Sequence, residues 1–300
     1  MTMRHWSGFL AASLLGAGIA WCACIGSARA EGLQPLDDSA LSSVQGRDGL
    51  SFDLSNFTMQ GDARITYYAA APSTASGWIG NIYATRSDNP DAFADPYRLD
   101  VVKGGSGLAD IVTLSFPVNA SGAQKWQYVY DWGVSADGID FDGGSTLFKD
   151  AVFRGGSIQW STPRSGEGLA WGLALRFDIA NVLLRPRGRG DISSIDSAGE
   201  QMNISGIHVG AVDSSGNFTG EAWRIADVTS QPGIINAVTD ENGKPRLHVG
   251  IGWAENGSAP TGGLLIDNVS FKSDLTGNLD LGSSRIGSMQ IQYLDVKFRP

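Results

Sequence analysis

After residue 50 the chain alternates apolar and polar positions with period two. Leu50, Phe52 and Leu54 alternate with Ser51 and Asp53, the signature of a half-buried strand. The same reading predicts strands at 63–70, 78–85, 98–102, 111–116, 125–133, 138–142, 148–153, 157–161 and 169–184. Further strands are predicted at 204–212, 219–228, 246–253, 263–271, 278–281 and 289–298. Turn chemistry separates them, as in Asp88-Asn89-Pro90-Asp91, Ser214-Ser215-Gly216-Asn217 and Asp240-Glu241-Asn242-Gly243. A helix is predicted once, over 38–44. Asp37 stands there as N-cap, Leu36 and Leu41 occupy the staple positions, and Gly46 supplies the stop.

One strand phrase recurs: apolar, any, Asn or a similar residue, apolar, any, apolar. It runs Leu54…Asn56-Phe57…Met59, Ile179…Asn181-Val182…Leu184, Ile266…Asn268-Val269…Phe271 and Ile291…Tyr293-Leu294…Val296. Phe148…Asp150-Ala151…Phe153 is a looser copy. In a regular strand the three apolar positions do not share a face, and one extra residue at the Asn restores them to one side. A strand that changes face as it crosses between sheets gives the same pattern. The copies are irregularly spaced, which disfavours a solenoid. The expected fold is therefore all-β, an irregular antiparallel β-sandwich or partly open barrel with bulged strands and one short N-terminal helix. The first strand, 50–59, and the last are expected to share a sheet, neighbour pairing being one arrangement.

Residues 1–30 change the picture of where the protein works. Arg4, the apolar run 9–25 and the small-x-small triplet Ala28-Arg29-Ala30 form a secretory signal peptide. Cleavage after Ala30 leaves one large domain, 31–300, with a candidate internal break near 185–200 at the basic loop Arg185-Pro186-Arg187-Gly188-Arg189. Both cysteines, Cys22 and Cys24, leave with the signal, so no disulfide or thiolate metal site is expected. Loss of Arg4 and Arg29 takes the formal charge from −9 to −11, which argues against nucleic acid or an anionic lipid surface as partner.

No nucleophile elbow, zinc-protease helix, P-loop or dinucleotide fingerprint occurs, so no catalytic, cofactor or metal residues are assigned. Gly104-Gly105-Ser106-Gly107 precedes a strand, so it cradles no phosphate. His208 and His248 lie inside strand patterns, where an outward-facing position competes with a metal or acid–base role. Asp137, Asp140 and Asp142 offer oxygens to calcium but lack the EF-hand spacing and closing Glu, and a strand ending in a Gly turn explains them better. Glu167, Glu221, Asp227 and Glu255 are candidates for a glycosidase carboxylate pair, none favoured over the others. Trp126, Tyr128, Tyr130 and Trp132 form an aromatic row that is either a sugar platform or a core layer, the core being favoured. Glycosylation sequons begin at Asn56, Asn119, Asn203, Asn217, Asn256 and Asn268, and those at Asn56 and Asn268 coincide with the bulge phrase. Arg189-Gly190-Asp191 matches a three-residue adhesion motif.

Residues 36–54, LDDSALSSVQGRDGLSFDL, resemble the segment that follows the signal peptide in the FilA-like pilus-system proteins of Gram-negative bacteria. The phrases at 266–271 and 291–296 look like that group as well. The resemblance implies an exported, non-enzymatic structural or accessory protein of a cell-surface filament, located in the periplasm, outer membrane or cell surface. Its expected partners are other envelope or filament proteins, engaged by strand-edge pairing. A glycan-binding or glycan-hydrolysing β-sandwich and an outer-membrane β-barrel are the alternatives.

Overall fold

The computed structural model describes residues 49–298 apart from 53, 55–56, 70–72, 87–94, 122–123, 187, 190–199 and 254–258. The helix expected over 38–44 lies outside the described residues. The chain divides into units Met1–Gln45 and Gly46–Pro300, and the second is all-β.

Its sixteen described strands form one continuous antiparallel sheet. The spine is a hairpin of two long strands, β8 (Ile139–Ser161) and β9 (Leu169–Arg185). The free edge of β8 is shared by β7 (Trp126–Ala136) and β6 (Ile111–Ser115). That of β9 is shared by β10 (Gln201–Ala211), β11 (Trp223–Ala226) and β12 (Gly233–Thr239). Four arms grow from these. β4 (Ser76–Arg86) continues β7 and carries β2 (Thr58–Gly61) and β3 (Ile65–Tyr68). β5 (Tyr97–Val102) continues β6 and carries β1 (Leu50–Phe52). β14 (Gly262–Ser273) and β15 (Gly277–Met289) extend β10, while β13 (Pro245–Gly252) and β16 (Tyr293–Lys297) extend β12.

The spine bends at Gly155 and Gly156. Both adopt positive φ (98° and 108°), a conformation nearly closed to side-chain-bearing residues, and the β8–β9 register slips there. Beside the bend the β6 arm hands over to the β7 arm. The Phe116 N–H donates to the Gly156 carbonyl at 3.0 Å, and the Gly155 N–H to that of Pro117 at 2.9 Å. The apolar faces of the two arms close over an aromatic cluster of Tyr97, Phe116 and Trp126, joined by Phe153 and Phe57. A second cluster, Trp171, Trp223, Ile225, Val249 and Ile251, fills the space between β9, β11 and β13. Each large aromatic removes enough apolar surface from water to contribute about 2–3 kcal/mol. The described residues contain no cysteine, and these clusters and the strand ladders hold this part of the fold.

The recurring phrase is a bulge in some copies and not in others. Asp150 has φ 52° and the β7–β8 register slips beside it, so the loosest copy is a true bulge. Asn268 sits at a slip between β14 and β15. Asn181, in contrast, keeps even register with both β8 and β10. The Tyr293 copy is corrected too: β16 pairs with β13 without a slip, and Ile291 precedes the strand. Asn56 lies outside the described residues.

The expected first strand, 50–59, is two strands. β1 pairs with β5 and β2 with β4, separated by a turn in which the Phe57 N–H donates to the Leu54 carbonyl at 3.1 Å. First and last strands share the continuous sheet but are not neighbours, since β16 lies against β13. The segments read as 138–142, 148–153 and 157–161 are the single strand β8.

Candidate functional site

Directly opposed residues on antiparallel strands point to the same face. In β12–β13–β16 the opposed sets are Asn236–His248–Lys297, Ile234–Gly250–Asp295 and Gly252–Tyr293. The alternate set, Ile235, Val249, Ile251 and Leu294, packs into the Trp171–Trp223 cluster. One face of this arm is therefore core, and the other carries the polar and glycine positions.

That polar face opens into a cleft of about 500 Å³. The β8–β9 turn (Pro163, Arg164, Ser165) and the loop after β11 (Thr229 to Pro232) also line it. His248 is held by both ring nitrogens, Nδ1 at 2.7 Å from Asn236 Oδ1 and Nε2 at 3.1 Å from Asp295 Oδ1. The other oxygen of Asp295 lies 3.3 Å from Lys297 Nζ and accepts the Tyr293 hydroxyl at 3.2 Å. Desolvation pushes this carboxyl up; the Lys297 bond and charge, the Tyr293 hydroxyl and the His248 charge outweigh it and hold it below its ordinary value. Asp295 is thus an ionised, immobilised acceptor at neutral pH. The glycines make room. A Cβ on Gly250 would lie 2.7 Å from His248 Cε1, so only glycine lets the imidazole fold over the strand.

His208 belongs to a second constellation, a charged row across four strands. Arg154 Nε (β8) donates to Asp178 Oδ2 (β9) at 2.7 Å, and His208 Nδ1 (β10) is 2.8 Å from Asp178 Oδ1. His208 Nε2 is 3.6 Å from Asp267 Oδ2 on β14. Partial burial raises the Asp178 carboxyl, and the bonds and charges of Arg154 and His208 bring it below its ordinary value. The row lies on the sheet rather than in a cleft and acts as a cross-strand tie. The two histidines stand in separate constellations, with His248 alone on a cleft.

The remaining candidates do not converge. Asp137 and Gly138, both at positive φ, make the two-residue turn between β7 and β8. Asp142 accepts the Gly144 N–H at 2.9 Å, and Asp140 is exposed along β8. No group of three His, Cys, Asp or Glu is placed to hold a metal among the described residues. Glu167 lies in the β8–β9 turn and Glu221 in the loop before β11, while Asp227 accepts the N–H groups of Thr229 and Ser230 in its own turn. Glu255 is outside the described residues.

Of the aromatic row, Trp126 is buried in the core, Tyr128 and Tyr130 pack on Phe148, and Trp132 packs on Phe141. Asn119 is buried and exchanges hydrogen bonds with the Gln124 backbone, which removes it from glycosylation. Arg189 is engaged by Asp131 at 2.9 Å, and Gly190 and Asp191 lie outside the described residues. Gly104 donates to Asp110 in the β5–β6 loop.

The sheet also ends in a bare edge. β15 bonds to β14 and to no other described strand, and every residue from 277 to 286 is exposed. Tyr293, Asp295 and the Gly250/Gly252 pair were missed from the sequence; two glycines at period-two spacing inside a strand were the available signal. Comparison with family models, curated proteins and solved structures finds no match.

Proposed function

We propose that this protein is an exported, non-enzymatic structural or accessory component of a cell-surface filament, and that it holds a partner chain by strand addition. The observation that carries this reading is the edge of β15. Natural edges are blunted by lysine, proline or burial, and β15 has neither residue, with Leu279 56% and Leu281 58% exposed. Its single charges, Asp280 and Arg285, are widely spaced, and the register slips beside Gly282 leave Gly277–Asp280 as a straight template. An added strand finds free backbone donors and acceptors there, with leucines for side-chain selection. The signal peptide and the resemblance of residues 36–54 to filament-system proteins agree with this role. The barrel alternative needs a closed ring of strands to satisfy every backbone group in lipid, whereas the described sheet runs out at β15 and at β1.

The cysteine-free mature sequence makes the test direct. A Ser283→Cys variant carrying a short cross-linker is expressed in the native cell, which is then separated into periplasm, outer membrane and sheared surface material. The expected result is a discrete cross-linked partner in the surface or outer-membrane fraction. A mature chain that stays monomeric and uncross-linked in every fraction overturns the proposal.

A further inference from the structure

We propose that the cleft on β12–β13–β16 binds a neutral saccharide, a hexopyranoside seated against the Tyr293 ring with a hydroxyl donating to Asp295. This inference is independent of the filament reading, because it uses side chains on the polar face of β12–β13–β16 and not the backbone edge of β15.

The first argument is the state of Tyr293. It stands opposite Gly252, where a Cβ would lie 3.8 Å from Tyr293 Cδ2. An aromatic ring beside a cross-strand glycine is a known sheet-stabilising device, and that role alone accounts for a covered ring. Tyr293 is instead 71% exposed, so one flank rests on the strand and the rest of the ring is bare at the mouth of the cleft. Its position is nevertheless fixed, since its hydroxyl donates to Asp295. A fixed, half-bare aromatic face beside a flat glycine floor matches the apolar C–H face of a pyranose.

The second argument is the acceptor count at Asp295. An ionised carboxylate offers about four lone-pair sites. Tyr293 donates one hydrogen bond to it, while His248 Nε2 and Lys297 Nζ stand beside it at 3.1 and 3.3 Å. Acceptor capacity remains for a ligand hydroxyl, and the carboxylate that offers it is already oriented, so binding does not have to order it. The Asn236–His248 pair locks the ring that supports it.

The third argument is by charge. Asp295 is the only acid among the described residues lining the cleft. Lys297 beside it and Arg164 on the lining offset its charge, so no cationic ligand is called for. The described lining offers one carboxylate, and binding alone is proposed here. The cleft volume, about 500 Å³, is in the range of small-ligand pockets.

The test is saturation-transfer NMR on the full mature chain with the methyl glycosides of glucose, galactose and mannose. Transfer to at least one glycoside is expected, with affinity falling about tenfold in Tyr293→Ala and retained in Tyr293→Phe. Gly252→Val adds a side chain at ordinary contact distance, so it folds, and it is expected to abolish transfer by filling the floor. No transfer to any of the glycosides overturns the proposal, as does transfer that both Tyr293→Ala and Gly252→Val leave unchanged. Neither result bears on cross-linking through Ser283→Cys.

Discussion

Gly206 on β10 lies directly beneath the carboxylate of Asp267 on β14. It adopts φ 60°, and a Cβ added to it would collide with Asp267 Oδ2. Asp150 on β8, at φ 52°, falls at the same level of the sheet, where the pairings β8–β9, β9–β10 and β10–β14 each omit one rung without a change of register. The strands kink together, so the ladder keeps its register across the kink. Asp267 is thereby laid across Gly206 toward His208.

Gly206→Ala is expected to cost about 2 kcal/mol, from the left-handed backbone together with displacement of Asp267. Urea unfolding checks it, the midpoint moving while the slope stays constant. Asp267→Ala removes the collision, so Gly206→Ala in that background should lose less stability than alone.

At Asp150 the side chain is tolerated because Asp is among the few non-glycine residues that visit positive φ. Asp150→Gly should lower thermal stability less than Asp150→Val, since glycine meets no backbone strain at positive φ. Asp150→Val should lower it by roughly 1–3 kcal/mol, since a β-branched residue is strained there. Equal melting of the two variants would show that the bulge relaxes at no cost.

These bulges show what a sequence reveals of such a fold. The spine strand β9 was legible almost to the residue, as 169–184, because its central position gives it a long apolar run. β8 was read as three strands because Gly143-Gly144 and Gly155-Gly156 look like breaks; in the fold the first is a slip within the β7 pairing and the second a bend that lets one strand serve two arms. Asn181 carries the bulge phrase without a bulge, since both faces of β9 are buried beside it and two-sided burial writes the same pattern. Tyr293 carries it because Leu294 packs inward while Tyr293 stands on the exposed face. The cleft was hidden for another reason. Asp295 and His248 meet only through the β13–β16 register, and no local pattern in either strand announces that pairing.

Asp178 gives the stability a definite pH dependence. Its folded-state carboxyl titrates below the ordinary value of about 3.9, because Arg154 and His208 outweigh the effect of partial burial. A depressed carboxyl contributes its stability above the unfolded value and loses it as the pH falls through the folded one. Wild type should therefore exceed Asp178→Asn in melting temperature at neutral pH, and the gap should close as the pH falls below the ordinary carboxylate value and through the folded one. A gap that persists unchanged into acid would assign the effect to packing rather than charge.

The edge of β15 separates folding from association. Leu279 and Leu281 are more than half exposed and contribute little to the core, so Leu279→Lys and Leu281→Lys should each shift stability by no more than ~0.5 kcal/mol. Lysine on an edge nonetheless opposes the approach of another strand, because its ammonium must stay hydrated beside the incoming backbone. The double variant is therefore expected to melt like wild type and to lose cross-linking through Ser283→Cys. Loss of cross-linking in the double variant, with the fold intact by circular dichroism, places the partner on β15. Retention moves the contact elsewhere on the molecule, and the β3 edge, where Tyr67 and Tyr68 are exposed, becomes the next to examine.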